Sequence, residues 1–80
     1  HTRRIKMPDI TYEIKKEIGI LSEATTGWTR QVNMISWNGR DAKLDIRDWA
    51  PEREKAGKGM TLTKDEVKKL IELLNEADLD

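Results

Sequence analysis

Making or breaking bonds calls for a nucleophile, a tunable acid or base, or a metal, and this chain supplies little of any of them. It has no cysteine, and its only histidine is His1. Nucleophilic and zinc chemistry therefore lack their usual donors. The 15 carboxylates show no motif spacing and alternate with basic residues, as solvated strand faces do. The expectation is no enzymatic activity, no metal and no cofactor. What remains is the chemistry of contact. Three tryptophans occur in 80 residues that contain no phenylalanine. Trp28 lies near Arg30, Trp37 near Arg40, and Trp49 follows Arg47 by two. An aromatic face beside a cation suits a single nucleic-acid strand. Stacking a base on an aromatic is worth ~1–3 kcal/mol, while Arg and Lys hold the phosphates.

Each residue also has a plainer reading. Trp28, at the start of a strand, either packs across its hairpin or stacks on a ligand. Trp37 falls in phase with Ile35, which points to core or interface packing. Arg47 and Trp49 share a strand face opposite Leu44 and Ile46. If Leu44 and Ile46 fill the core, Arg47 and Trp49 aim at solvent or a groove, which makes Trp49 the leading candidate for stacking. Arg30 and Arg47 meet phosphates or merely pair with Asp45 and Asp48, and such surface pairs are usually weak. Lys58, between Gly57 and Gly59, is a turn residue or a phosphate contact to which glycines allow close approach. Tryptophan and arginine also anchor protein partners. A protein–protein adaptor is therefore the alternative to a nucleic-acid binder.

The apolar pattern along the chain sets the elements that carry these residues. Ile10, Tyr12, Ile14, Ile18 and Ile20 alternate with polar residues, a strand pattern over 10–23. Gly19 inside it predicts a bulge or bend, and Leu21 falls out of phase. A second strand runs over 28–37, where Val32 is out of phase with Ile35 and Trp37; a bulge at Asn33-Met34 would reconcile them. Asn38-Gly39 marks a tight hairpin turn. Residues 43–49 form a third strand, ended by Pro51. A charged loop and a short strand over 58–62 follow. Thr63 and Glu66 make a capping box, after which Val67, Leu70, Ile71 and Leu74 form an apolar helix stripe, to be core or dimer interface. The expected class is α+β: a four-stranded curved antiparallel sheet and one C-terminal helix, ββββα.

A single domain over 10–80 fits this length. Residues 1–9, with Arg3, Arg4 and Lys6, read as a disordered tail or vector remnant. The hydrophobic fraction is 36%, a marginal core for a small chain without disulfides, so a homodimer is expected. The net charge is zero, yet 64–80 hold six acids against three lysines while 28–60 hold seven bases against five acids. A basic middle is compatible with nucleic acid. No apolar run approaches a membrane span. The lack of cysteine fits a reducing cytoplasm.

Lys43-Leu44-Asp45-Ile46-Arg47-Asp48-Trp49, then a charged loop, then Gly57-Lys58-Gly59-Met60-Thr61-Leu62 and a capped helix, resembles the positive cofactor 4 family of transcriptional coactivators. Gly27-Trp28 and Ser36-Trp37-Asn38-Gly39 resemble its bacterial, YdbC-like branch in particular. The resemblance covers residues 10–78. It implies a homodimer of ββββα subunits whose curved strands take single-stranded DNA with little sequence preference. By position, Arg47, Trp49 and Lys58 match the family's backbone-contacting and stacking residues, Trp37 an aromatic near the second turn, and Lys43 and Lys55 basic positions. No stretch of these 80 residues resembles the serine- and acid-rich regulatory extension of the eukaryotic members, so coactivator activity is not part of the expectation. Single-stranded RNA remains an alternative partner, since stacking and phosphate contacts do not separate the two.

Overall fold

The computed structural model describes residues 4–7 and 10–79. Among these residues five strands, β1 (Arg4–Met7), β2 (Ile10–Glu23), β3 (Thr29–Trp37), β4 (Lys43–Trp49) and β5 (Ala56–Leu62), precede one helix, α1 (Lys64–Ala77). The strands pair in chain order, each antiparallel to the next. The four expected strands and the helix are all present, and β5 begins two residues early. The addition is β1: residues 4–7, expected to belong to a tail, pair with residues 10–13. The rest of that segment, residues 1–3 and 8–9, lies outside the described residues.

Local chemistry explains the joints. Asn38 and Gly39 have φ of 53° and 76°, the positive values that a tight turn matched to strand twist requires, and the Arg40 amide donates to the Trp37 carbonyl at 3.0 Å to close that turn within the 38–42 connection. Asn38 is also tied to β2, its side chain accepting from the Thr11 amide at 2.9 Å. Thr63 and Glu66 close the expected capping box, at 2.8 and 3.2 Å. Gly59 is fixed by sterics: a Cβ there would lie 2.4 Å from the Ile46 carbonyl oxygen. At Gly57 it would lie 2.9 Å from the Trp28 ring. Trp28 therefore packs over the Gly57 backbone, and the two glycines around Lys58 admit neighbouring protein.

The sheet is curled, and β2 supplies the curl. Its register against β3 slips between Ile14 and Lys16, between Glu17 and Gly19, and between Ile20 and Ser22. One extra residue is thus inserted every third position, and each bulge bends the strand. The expected bulge near Gly19 is one of these. The bulge expected at Asn33-Met34 is not formed, because β3 runs against β4 in unbroken register from Thr29 to Ile35. Val32 and Ile35 instead face opposite sides.

The size of the curl can be read from three rings. Tyr12 is opposite Trp37, whereas Trp49 is opposite Thr29, eight residues away along β3. In a flat strand that separation is about 26 Å. Yet the Tyr12 ring lies 5.3 Å from that of Trp37 and 5.2 Å from that of Trp49. The face bearing these residues is therefore the inside of the curl. Tyr12, Ile35 and Trp49 form the core there, with Ile14, Trp37 and Ala56 packed against them.

This corrects the expected face assignment. Arg47 and Trp49 do share a face, but Trp49 is 0% exposed. Leu44 and Ile46 lie on the convex side and are only half-buried. Curvature closes the face that alternation had assigned to solvent. On the convex side α1 packs against β4 and β5, half-burying Val67 and Leu70. Ile71, Leu73, Leu74 and Met60 remain 50–57% exposed.

Candidate nucleic-acid interface

The concave face is held by a polar arrangement around Asp45, which β4 places beside Asn33 of β3. Asp45 is 0% exposed. Its carboxylate accepts from Arg47 Nε and Nη2, both at 3.0 Å, and from the Trp37 indole Nε1 at 3.2 Å. Arg47 Nη1 donates to the Gly57 carbonyl at 3.1 Å, fastening β4 to β5. The guanidinium carbon also sits 4.8 Å from the Trp37 ring centre, within reach for a cation–π attraction. A buried charge is tolerable only when paired and bonded in this way.

Trp37 is consequently fixed from several sides. Asp45 holds its N–H, Arg47 lies over the ring, and the Tyr12 ring leans against it at 45°. It keeps part of its surface in solvent. That combination, an aromatic immobilised by its neighbours but still accessible, can stack on a flat ligand without ordering cost. Trp49 has no such access and forms the floor beneath Tyr12.

The remaining expected site residues divide by position. Lys43, opposite Ile35, is exposed and by strand alternation shares the concave side with Trp37. Lys55, in the loop before β5, and Lys58, within β5, are exposed as well. Arg30 is not brought to this group. It lies opposite Asp48 on the other face and donates to it through Nε at 2.9 Å. That hydrogen bond holds the Asp48 carboxyl below the usual carboxylate range and raises the Arg30 guanidinium above its ordinary value.

Three buried or bridging residues were not legible as site residues. Gln31 and Asn33 line the concave face, bonded to each other at 3.2 Å. Arg53, in the turn Pro51–Arg53 between β4 and β5, reaches across to Gln31 and Glu17. The available signal was that Gln31 and Asn33 are in phase with Ile35 and Trp37.

Among the described residues, the curled antiparallel sheet, the capped helix and the tryptophan clamped at the rim make up a small α+β domain. The model of the family described as Transcriptional Coactivator p15 (PC4) matches residues 24–73. The chain belongs to that family, whose members are nucleic-acid-binding coactivator domains that take single-stranded DNA and are not enzymes. A protein of Treponema pallidum (strain Nichols), named only as uncharacterized, is 47% identical over 72 residues. That alignment spans 90% of this chain and 85% of the relative. Among the described residues no helix is long and apolar enough to cross a membrane.

Proposed function

We propose that the chain binds single-stranded DNA with little sequence preference at the rim of its concave face, as a homodimer, in transcription, replication or repair. The observation that carries this reading is Trp37, oriented by Asp45 and Arg47 yet open to solvent. Every base has a flat face, so stacking on one held indole is tolerant of sequence. Lys43, Lys55 and Lys58, all exposed, are the cations for the phosphates. Arg47 acts through Trp37, because its Nε, Nη1 and Nη2 are already committed within the protein. Trp49 supports the site from below. The second subunit belongs on the convex side, where Ile71, Leu74 and Met60 lie exposed beside an apolar trough between α1 and β5.

The test is an anisotropy competition between single-stranded and duplex DNA of equal length. A duplex hides its base faces, so the single strand should win, with affinity falling as salt rises by a log–log slope of about −0.7 per phosphate neutralised. Equal or better duplex binding would overturn the reading. A single-stranded RNA competitor in the same assay decides between the two kinds of strand.

A further inference from the structure

We propose that Arg53 is a gated phosphate contact, occupied by Glu17 in the free protein and released to a bound strand. This inference rests on the single-strand-binding reading and extends it to a residue outside the group just described.

Glu52 and Arg53 both have φ of 57°, a left-handed conformation that side chains with a Cβ disfavour. Something must hold Arg53 there. Its amide donates to the Ala50 carbonyl at 2.8 Å, and its side chain crosses from the loop to the sheet. Nε donates to Gln31 Oε1 at 3.1 Å, while Nη2 donates to Glu17 Oε1.

The two ends of this bridge differ in kind. Gln31 is buried and itself fixed, accepting from Asn33 at 3.2 Å and donating to Thr29 at 2.9 Å. It is a neutral platform that orients the guanidinium. Glu17 is on the bulged part of β2, and its side chain is 66% exposed. An exposed carboxylate of this sort is a weak, exchangeable partner. A phosphate oxygen offers the same acceptor geometry to the guanidinium fork.

Position supports the exchange. Arg53 sits between two concave depressions of about 200 and 240 Å³ that share Ile20 and Gln31 in their walls. Gln31 is next to Arg47 in the β3–β4 ladder, and Arg47 lies over Trp37. Arg53, Gln31, Arg47 and Trp37 thus form one continuous row, along which a strand stacked on Trp37 can bring a phosphate to Arg53. Glu17 mimics that phosphate until the strand arrives.

The test uses the full chain with labelled oligothymidylate across a salt series, after thermal melts confirm folding. Glu17→Gln should tighten binding about two- to fivefold, the range expected for removing one exposed competing pair. Glu23→Gln removes the same charge from the same strand and should give a smaller gain. Arg53→Gly, which suits the positive φ, should weaken binding and flatten the salt slope by about 0.7. Adding Glu17→Gln to Arg53→Gly should bring no further gain; Arg53→Gln replaces Arg53→Gly if the glycine variant melts early. A Glu17→Gln gain no larger than that of Glu23→Gln, or one that survives without Arg53, would overturn the gate. Both outcomes leave single-strand binding intact, whereas a wild-type chain that ignores oligothymidylate overturns the two readings together.

Discussion

The two faces of the sheet reverse the usual association of polar with exposed. The concave face carries Gln31, Asn33 and Asp45, all buried and hydrogen-bonded within the chain. The convex face carries Val32, Met34, Leu44 and Ile46, which are half-buried, and is open beside a helix whose Ile71 and Leu74 are more than half exposed. Curvature accounts for the difference. Bulges in β2 wrap the sheet around one side, so a polar row can be buried there if each member finds a partner, as Asp45 does in Arg47 and Trp37. The outer side of a curl has nothing of its own to fold onto, and it stays apolar for a second surface to cover. One face is finished by the chain itself; on our reading the other is finished by a second copy.

The largest effects should come from breaking the concave face. Trp49→Ala should cost ~3–5 kcal/mol of folding stability, read by denaturant unfolding, because a fully buried ring leaves a cavity. Arg47→Ala should cost about as much, since it leaves the Asp45 carboxylate buried without its charged partner. Wild-type stability for either would mean that the concave side is not the core. On the convex face, Ile71→Ala combined with Leu74→Ala should turn a dimer into a folded monomer at micromolar concentration in light scattering. Two unchanged subunit masses, or a wild-type monomer at ~100 μM, would remove the interface from α1; exposed apolar area of this kind stabilises only when it is covered.

The smallest effect should be that of the convex ion pair. Arg30 holds Asp48 below its ordinary pKa through a hydrogen bond, so the folded state favours the carboxylate. Its contribution is complete above the unfolded value of about 3.9 and is lost as pH falls through the lower folded value. Melting temperatures of wild type and Asp48→Asn should thus differ slightly near neutrality and converge in strong acid. A difference that grew on acidification would contradict the assignment. Both groups are exposed, so added salt should shrink the neutral difference too.

Local chemistry made most of the fold legible. Asn38-Gly39, the Thr63–Glu66 box and the alternation in β4 each act over a few residues, and each specified its element. Alternation also paired Arg47 with Trp49 on one face correctly. It was silent on which face is inside, because that depends on bulges in a different strand. Only Gly19 and the odd phase of Leu21 hinted at them; the slip between Ile14 and Lys16 left no mark in composition. The same silence hid the burial of Asp45, Gln31 and Asn33, although Asp45 was legible as a partner for Arg47. Polar residues on an alternating strand read as solvated, and their burial follows from a curl formed by residues far along the chain. Arg53 was hidden for another reason: its hydrogen bonds to Gln31 and Glu17 reach 22 and 36 residues along the chain.

Trp37 is the residue on which the functional account turns, and removing it is the most direct test. Labelled oligothymidylate should be titrated with wild type and Trp37→Ala over a range of salt concentrations, once melts show that the variant folds. Loss of stacking should weaken binding by ~1–3 kcal/mol. The salt slope should stay unchanged, because no phosphate contact is removed. A folded Trp37→Ala protein that binds the strand as wild type does would contradict the assignment of the concave rim as the binding surface.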